Sequence, residues 1–404
     1  MILVAEKRRV LILGGGMAGL MTATHLQKWL KTGEAEVTVV NKHDYHFVTS
    51  KLHESGAGNL SDHAVSMDIQ KELLDSNKVI FKQDEVISIN KDDKIVQLSE
   101  EEISYDILVA CLGGEPQTFG VPGVAEHGYF IWTRESSQKI NQRMIENCKA
   151  WHEDQDDSRL TIVCVGAGFT GMEFLGEMVH RRKSLANEYD VPAEKIKIIC
   201  LEAADQILPS IPKSSVDYGV QLLAKNDIEI RLNQRIDSID ENGIHLADGT
   251  TIPSKTIVWA TGVTGSTTLA EAGFPTMGRS KRVLINEFLE VDGYPDTFVI
   301  GDAGVAMDPE GNPYQPTAQV ALQQGTYVAR SIVGKVRDGV NPKKPFKLIY
   351  RGTMMSLGHT RASGIVYGWA VKGMIGCFFK KVIDLRYYFE LKGIRLAIKM
   401  FFRK

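Results

Sequence analysis

Two glycine-rich segments have the residue types and spacing of loops that hold phosphate groups. The first contains Gly14, Gly16 and Gly19, and the second contains Gly166, Gly168 and Gly171. Each follows a short apolar run and opens a helical pattern, which is the strand–loop–helix context that a dinucleotide fingerprint requires. In such a loop the first glycine permits the tight turn, the second lets backbone approach a pyrophosphate, and the third lets the helix pack on the strand. The chain is therefore expected to hold two dinucleotides.

The residue that ends the second strand of each unit indicates which dinucleotide is held. Glu202 has this place in the second unit, where a carboxylate would bind a ribose and repel a 2′-phosphate, so NADH is favoured over NADPH. The equivalent residue of the first unit is Asn41, which is neutral and suits another adenine dinucleotide, FAD. The alternative for Glu202 is a solvated glutamate at a strand end.

Two further groups of polar side chains suit a flavin. Asp302 ends a buried strand and could accept a hydrogen bond from a polyol such as ribitol; the alternative is a helix N-cap. Gln319 and Gln323 stand four residues apart and so share one helix face, and the small Ala318 and Gly325 would admit a flat group. A helix start beside a reduced flavin would favour its negative charge. The alternative for the two glutamines is an ordinary surface face.

The bulk composition limits the classes of function. The 404 residues suffice for two or three domains, and a net charge of −3 gives no sign of nucleic-acid binding. The five cysteines are far apart, which argues for a reducing compartment and against disulfide exchange. No zinc-like spacing occurs, so no metal site is expected. No apolar run reaches the ~20 residues that span a bilayer.

Residues 372–404 combine basic and apolar side chains. They contain nine Lys or Arg against two acidic residues, a net charge of +7 in an otherwise acidic chain. An apolar stripe recurs at helical spacing beside a basic one: Leu391, Ile394, Ile398 and Phe401 beside Lys392, Arg395, Lys399 and Arg403. An aromatic-rich segment precedes them: Phe378, Phe379, Ile383, Tyr387 and Tyr388. This composition is typical of a helix lying in a membrane interface. The alternative is a helix that covers the protein core or a dimer interface.

The candidate dinucleotide-binding residues need two strand–loop–helix units to position them. The pattern of strand 9–13, loop, helix and strand 37–40 restarts with strands at 161–165 and 197–201, and the strand at 296–302 is expected to return the chain to the first unit. We therefore predict an α/β fold with two Rossmann-like dinucleotide-binding domains. The FAD-binding domain would comprise residues 1–120 and 266–345, the NADH-binding domain residues 121–265, and a C-terminal membrane-binding segment residues 346–404.

The combination resembles the single-subunit type II NADH dehydrogenases, the flavin-dependent NADH:quinone oxidoreductases of bacterial membranes. The resemblance rests on the two glycine loops, on segments 40–46, 167–174, 299–302 and 351–358, and above all on the Ala-Gln-x-Ala-x-Gln-x-Gly pattern at 318–325. It covers essentially the whole chain. It implies non-covalent FAD, NADH as substrate, a homodimer, and a peripheral position at an anionic membrane surface on the cytoplasmic face of the cell membrane.

The resemblance also implies roles for individual residues. Glu173 would act in the nicotinamide and proton-transfer region, and Gln319 and Gln323 would line the quinone site; without the resemblance, Glu173 is an acidic residue in a first helical turn. FAD would be bound by Gly14, Gly16, Gly19, Asn41, Lys42, Thr49, Gly113, Asp302, Ala318 and Gln319. NADH would be bound by Gly166, Gly168, Gly171, Glu202 and Gly262.

The expected reaction is the oxidation of NADH with two-electron reduction of a membrane quinone, menaquinone or ubiquinone, to quinol. No proton-conducting membrane segment is seen in the sequence, so proton pumping is not expected. Two alternatives stay open. A sulfide:quinone oxidoreductase would need cysteines beside the flavin, whereas Cys164 lies in a predicted strand and Cys377 in the basic tail. The second alternative is a non-catalytic flavoprotein that senses NADH at a membrane.

Overall fold

The structure is a computed structural model that describes residues 7–340, 342 and 344–403. Residues 1–6, 341 and 343 of the predicted FAD-binding domain and residue 404 of the predicted C-terminal segment lie outside the described residues. The described part of the chain contains seven α-helices of nine or more residues, which we label α1 (Met17–Trp29), α2 (Arg134–Asp154), α3 (Phe169–Tyr189), α4 (Lys213–Ala224), α5 (Ala318–Asp338), α6 (Gly373–Lys392) and α7 (Ile394–Phe402).

A six-stranded sheet forms the first Rossmann-like unit. Its strands, in spatial order, are Glu290–Val291, Tyr294–Val299, Ile107–Ala110, Arg8–Leu13, Ala35–Asn41 and Ile80–Gln83. All neighbours are parallel except the first pair. The inner strands are nearly continuous apolar runs because parallel sheets are covered on both faces. The strand Tyr294–Val299 comes from late in the chain, and it brings Asp302 to the carboxyl edge where the first glycine loop lies.

A five-stranded parallel sheet forms the second unit. Its strands, in spatial order, are Gly128–Phe130, Thr256–Trp259, Thr161–Val165, Lys197–Leu201 and Ile228–Arg231. The second glycine loop connects the central strand to α3, as the first loop connects its strand to α1. The α/β fold with two Rossmann-like units is therefore confirmed.

Three smaller antiparallel sheets complete the architecture. Their strands are Val86–Asn90, Ile95–Leu98 and Glu102–Ser104; Ile236–Asp240, Gly243–Leu246 and Thr251–Pro253; and Gly352–Ser356, Ala362–Val366 and Trp369–Lys372. The last of these sheets packs against α3, α4 and α6, so it joins the second unit to the C-terminal helices. Strand Gly114–Pro116 pairs with Val263–Gly265 where the chain crosses between the units.

The C-terminal helices cover the first unit with one face and expose the other. On α7, Leu396, Ala397 and Met400 are buried in the core of the first unit, whereas Ile394 and Ile398 are exposed. Leu391, Tyr387 and Tyr388 were predicted to lie with the membrane-facing residues. This prediction was wrong, because all three are buried in the same core. Among the described helices, none is long and apolar enough to cross a membrane.

Candidate active site

The two glycine loops have the same backbone geometry. Gly14 and Gly166 adopt φ angles of 104° and 102°, which side-chain-bearing residues rarely adopt, and the N–H of each donates to the carbonyl that ends the neighbouring strand at 2.8 Å. A Cβ on Gly19 would overlap the carbonyl oxygen of Gly14, and a Cβ on Gly171 would overlap that of Gly166. These contacts explain why the first and third positions require glycine.

The second glycine of each loop faces open space. Among the described residues, no atom lies within 4 Å of the position that a Cβ would take on Gly16 or on Gly168. Each of these glycines is also the N-cap of the following helix, so N–H groups of the first turn point toward that space. An open cradle at a helix N-terminus fits a pyrophosphate in both units.

The residues that end the second strands brace their own loops. The N–H of Gly15 donates to Asn41 Oδ1 at 2.8 Å, and the N–H of Ala167 donates to Glu202 Oε2 at 2.7 Å. Glu202 Oε1 accepts a second bond, from the N–H of Ala204 at 2.9 Å. Glu202 is therefore more than a solvated residue at a strand end. Each of its oxygens keeps a lone pair with which a ribose hydroxyl could bond.

Four other residues expected to touch a dinucleotide lie in less informative surroundings. Lys42 is exposed and forms an ion pair with Glu85 at 2.8 Å. Thr49 is exposed at the start of a short 3-10 helix. Gly113, with a φ angle of 72°, faces open space, whereas a Cβ on Gly262 would lie 2.7 Å from the ring of Phe119.

Asp302 carries a carboxylate without a hydrogen-bond partner among the described residues. It follows the strand Tyr294–Val299, and burial raises the pKa of its carboxyl although nearby Arg282 opposes the shift. The Arg282 guanidinium donates instead to the backbone carbonyls of Asp302 and Gly304, at 2.9 and 2.6 Å. The helix N-cap interpretation of Asp302 fails, because Ile300 is the N-cap of its short helix and Thr317 caps α5. An unpartnered carboxylate at this sheet edge fits a polyol.

One cavity lies between the two units. Its volume is about 920 Å³, and its walls include Met17 and Phe169, the residues that directly follow the second glycines of the two loops. Ala318 and Gln319 from the start of α5 and Lys380 from α6 also line it. The first residues of α1 and α3, the helices that follow the two phosphate loops, therefore line one common space.

The two glutamines of α5 do not share that cavity. Gln319 lines it, and the Gln319 amide accepts from the N–H of Arg351 at 2.7 Å. Gln323 lines an adjoining groove, where its amide accepts from the N–H of Ile349 at 2.9 Å and donates to the same residue's carbonyl at 3.0 Å. Both amides thus hold the extended segment 349–352 against α5. The surface-face alternative is wrong for both residues.

Glu173 belongs to a buried charge cluster behind the cavity wall. Its carboxylate accepts from the N–H of Ser356 at 2.9 Å and lies 3.3 Å from Lys380 Nζ. His53 Nδ1 lies 3.5 Å away. Burial lowers the pKa of His53, so that ring is neutral at pH 7. Burial alone would raise the pKa of Glu173, but the Lys380 ammonium and the Ser356 N–H outweigh it and lower that pKa.

Lys380 links this cluster to the cavity. Burial works to lower the pKa of its ammonium, but Glu173 and Asp384 more than offset this and raise the pKa. Lys380 and Glu173 are therefore an ionised pair at neutral pH. Among the described residues that line the cavity, Lys380 is present and Glu173 is not, so the lysine is the member of the pair that a bound molecule would meet.

A histidine ties the first glycine loop to the C-terminal helix. His46 Nδ1 lies 2.8 Å from the carbonyl oxygen of Gly15, and Tyr387 Oη lies 2.6 Å from His46 Nε2. Since a carbonyl only accepts, Nδ1 carries the hydrogen and Nε2 accepts from the tyrosine. Burial lowers the pKa of His46 to about 4, so the ring stays neutral. α6 is thereby fixed to the loop of the first unit.

The roles of four residues were not predicted from the sequence: His53, Lys380, His46 and Tyr387. His46 lies within the segment 40–46 that carried the resemblance, but nothing in the sequence indicates that its partner is Tyr387. Lys380 was counted only among the basic residues of the tail. A lysine that points inward from an otherwise amphipathic helix is the signal that could have found it, and that direction depends on packing.

Comparison with known proteins identifies the family. Residues 8–325 match the model described as pyridine nucleotide-disulphide oxidoreductase. The type II NADH:quinone oxidoreductase of Staphylococcus saprophyticus is 37% identical over 401 residues, which cover 98% of both chains. The chain therefore belongs to the pyridine nucleotide-disulphide oxidoreductase family and, within it, to the type II NADH:quinone oxidoreductases.

Solved structures share the fold. NDH2 from Plasmodium falciparum, in complex with NADH, superposes with a TM-score of 0.85 at 18% identity, covering 98% of this chain and 97% of that one. The sulfide:quinone oxidoreductase of Aquifex aeolicus superposes with a TM-score of 0.77 at 19% identity, covering 95% and 91%. The curated relative confirms the predicted resemblance, and these structures confirm the fold.

Proposed function

We propose that this chain is a membrane-associated enzyme that oxidises NADH and reduces a quinone, with FAD bound between the sites of the two substrates. Family membership gives the reaction, the electron donor, the class of acceptor and the cofactor. It also disfavours the two alternatives, a sulfide:quinone oxidoreductase and a non-catalytic sensor. The observation that carries the proposal is the cavity lined by both Met17 and Phe169, because it brings the starts of the two helices that follow the phosphate loops to one space.

Residues of the first unit would hold FAD, within a domain of residues 1–120 and 266–345. When bound, FAD supplies a two-electron centre that accepts hydride from NADH and passes the electrons to quinone. Gly16 would admit the pyrophosphate and Asp302 would accept a hydrogen bond from the ribitol. The other proposed contacts are Gly14, Gly19, Asn41, Lys42, Thr49, Gly113, Ala318 and Gln319.

Residues of the second unit would hold NADH, within a domain of residues 121–265. Gly168 would admit its pyrophosphate, and Glu202 would accept hydrogen bonds from a ribose through the lone pairs that the loop leaves free. The other proposed contacts are Gly166, Gly171 and Gly262. Phe119 lies against Gly262, so its ring would have to move before a ligand could reach that glycine.

Lys380 and Glu173 would deliver a proton at the cavity wall. Reduction of quinone to quinol consumes two protons, and Lys380 lines the cavity in its protonated form. Transfer of that proton would leave the Glu173 carboxylate buried beside a neutral amine. A buried carboxylate without a counter-charge is costly, so this state would favour rapid return of a proton to the pair.

The two glutamines would act through the segment they hold. Because both amides bond to the backbone of residues 349–352, Gln319 and Gln323 would fix the wall of the cavity rather than reach across it. Gln319 would also contact the flavin and quinone, since it lines the cavity. Substitution of Gln323 would then affect the quinone only indirectly.

The membrane surface would be formed by α6 and α7. These helices expose a set of large apolar side chains: Met374, Ile375, Phe378, Ile383, Phe389, Ile394, Ile398, Phe401 and Phe402. Exposed apolar groups on this scale mark an interaction surface. Val382 and Ile383 also line the cavity, which would give a quinone a route from lipid. Of the predicted basic stripe, Lys399 and Arg403 contact Glu72 instead, at 2.8 and 3.5 Å.

Two glutamine substitutions on α7 test this surface. We expect the Ile394→Gln/Ile398→Gln variant to bind vesicles containing anionic lipid about tenfold or more weakly, because two exposed apolar side chains that lipid would bury are lost. The matched control is Ile80→Gln/Ile87→Gln, which changes two exposed isoleucines of the first unit. Deletion of the whole tail would be a poor test, since it removes buried Tyr387. Equal vesicle binding by wild type and both variants would contradict the proposed surface.

A homodimer and a position on the cytoplasmic face of the cell membrane complete the proposal. Both derive from the family resemblance. The cytoplasmic face would give the second unit access to NADH, and the protons for quinol would come from the same side, so no charge would cross the membrane. Sedimentation of the detergent-solubilised enzyme would test the dimer, and protease accessibility in inside-out vesicles would test the face.

The Glu173→Gln variant tests the proposed mechanism. We expect reduction of the bound flavin by NADH to change by less than about twofold, while reoxidation by a soluble quinone slows about a hundredfold, the scale of a lost acid–base group. Stopped-flow absorbance measures the two half-reactions separately. Glu153→Gln, an exposed position on α2, is the control. Equal slowing of both half-reactions by Glu173→Gln would contradict this role.

A further inference from the structure

A second large space adjoins the cavity and is bordered by basic side chains. This groove has a volume of about 1130 Å³ and lies between α1, α5, the segment 344–351 and the end of α6. Its basic lining residues are Lys28, Arg330, Lys344, Lys347, Arg351 and Lys392. The acidic residue Glu390 also lines it. Nothing in the proposed reaction uses this groove.

Most of these cations form no salt bridge in the described part of the chain. Arg351 lies 3.9 Å from Glu390, which also pairs with Arg386. Arg330 lies over the ring of Trp29, with 5.6 Å between the guanidinium carbon and the ring centroid. No salt bridge within the described residues involves Lys28, Lys344, Lys347 or Lys392. A concave site with several unpaired cations on low-dielectric walls concentrates anions.

The groove also opens onto the apolar surface of the C-terminal helices. Its rim includes Ile349 and Phe389, which are 63% and 55% exposed. Gly393, where α6 ends and α7 begins, lines the groove, and the exposed Ile394 follows it directly. Cationic and apolar walls therefore meet at one edge, and that edge belongs to the surface proposed to face lipid.

We infer that this groove binds the phosphate head group of an anionic phospholipid, whose acyl chains lie along the exposed apolar side chains of α6 and α7. The inference rests on the proposed membrane association. A free phosphate would leave most of the groove volume and its apolar rim unused, whereas a phospholipid matches both kinds of wall. Basic pockets at a membrane-facing surface bind lipid head groups by this combination of contacts.

The occupant would also touch the wall of the reaction cavity. Lys347 and Arg351 line both spaces, and Gln323 bonds to the backbone of Ile349 between them. A phosphate held by these cations would fix the segment 347–351 from the side opposite the cavity. The head-group site is thus placed where lipid and quinone would meet the same stretch of chain.

The test uses the flavin-loaded full chain and dihexanoyl phosphatidylglycerol below its critical micelle concentration, so no membrane is present. Isothermal titration should show saturable binding, weakened about tenfold or more in Lys28→Gln/Arg330→Gln, because two charge contacts are lost. The control Lys139→Gln/Arg279→Gln removes the same two charges at exposed positions elsewhere and should bind as wild type does. Dihexanoyl phosphatidylcholine should bind much more weakly.

Two results would overturn the inference. One is the absence of saturable phosphatidylglycerol binding, or equal binding by all three proteins. The other is binding of inorganic phosphate as tight as that of the lipid and equally sensitive to Lys28→Gln/Arg330→Gln, which would make the groove a phosphate site. Two other measurements test the proposed function on which the inference rests. Wild type that does not turn over NADH with a soluble quinone, or that does not bind vesicles, would contradict that function and not the head-group site.

Discussion

The two dinucleotide units share a backbone but differ in what surrounds it. In both, the first glycine bonds to a carbonyl near the end of the neighbouring strand at 2.8 Å, and the next residue of that strand end, Asn41 or Glu202, accepts from the next N–H of the loop through its side chain. Later segments of the chain pack against both units, but in the first unit they include the strand that leads to Asp302 and the helix α5, which packs against α1. This difference suits a cofactor that is retained in one unit and a substrate that exchanges in the other.

The helices that follow the loops, α1 and α3, also share a backbone position but differ in the side chain there. Two residues after the third glycine, α1 has Met21 and α3 has Glu173. Met21 is fully buried in the apolar core of the first unit, whereas Glu173 bonds to Ser356 and Lys380 behind the cavity. One helix position therefore contributes packing in one unit and charge in the other. The shared scaffold positions the loops, and the side chains at equivalent sites decide what each unit does.

Replacement of the third glycine of each loop by alanine should have the largest effect, and a different one in each unit. Gly19→Ala and Gly171→Ala each place a Cβ against a carbonyl oxygen. We expect Gly19→Ala to be purified without flavin absorbance at 450 nm. Gly171→Ala should keep its flavin but be reduced by NADH about a hundredfold less efficiently, because a small displacement of a bound reactant is costly. The yellow colour of Gly171→Ala serves as its folding control.

The flavin content of the two alanine variants tests which unit binds which dinucleotide. Loss of flavin from Gly171→Ala, or normal flavin content in Gly19→Ala, would contradict the assignment of FAD to the first unit and NADH to the second.

Replacement of Glu202 should have a smaller effect confined to the second unit. Glu202→Gln removes the negative charge while one side-chain oxygen can still accept from Ala167. We expect the KM for NADH to rise about tenfold, since a charged hydrogen bond to a ribose is lost, and the preference over NADPH to fall. Steady-state kinetics with both nucleotides measures this. The control is Asn41→Gln, whose KM for NADH should not change. An unaltered NADH/NADPH ratio in Glu202→Gln would argue against ribose binding by this residue.

A third comparison concerns Glu173 and Glu177, whose carboxyls lie one turn apart on α3. Glu177 accepts from Asn59 at 2.7 Å, and burial raises its pKa from 4.5 to about 7. The stability that its protonation provides is fully present below pH 4.5 and is lost as the pH rises through 7. Wild type should therefore lose up to about 3 kcal/mol relative to Glu177→Gln between about pH 5 and about pH 8.

Denaturant unfolding of both proteins at the two pH values measures this difference. A difference in stability between wild type and Glu177→Gln that does not vary with pH would contradict the protonation of Glu177. Burial alone would also raise the pKa of Glu173, but the Lys380 ammonium lowers that pKa instead.

Much of this organisation could be predicted from the sequence because it depends on local pattern. The glycine loops, the carboxylate at Glu202 and the returning strand before Asp302 each have a short signature. The contacts that complete the site do not. Lys380 reaches Glu173 across 207 positions and Tyr387 reaches His46 across 341, and both contacts depend on how α6 docks against the first unit.

The errors have the same origin. Leu391 was assigned to the lipid-facing stripe, but helical spacing defines a stripe without saying which neighbour covers it. The resemblance placed Gln323 with Gln319 at the quinone site. The Gln323 amide bonds to Ile349 and lines the adjoining groove, and its role toward the quinone stays a prediction. Periodicity predicts which residues lie together on an element, and packing decides what they face.

Anaerobic stopped-flow mixing of the purified enzyme tests the central claim most directly. The claim is that the two dinucleotide sites lie close enough for NADH to reduce the bound flavin and for a quinone to reoxidise it. NADH should bleach the absorbance of the bound flavin at 450 nm within a single turnover, and a second mixing with a soluble quinone should restore it. A protein that carries flavin but is not bleached by NADH, or one whose bleached flavin is not reoxidised by quinone, would contradict the account.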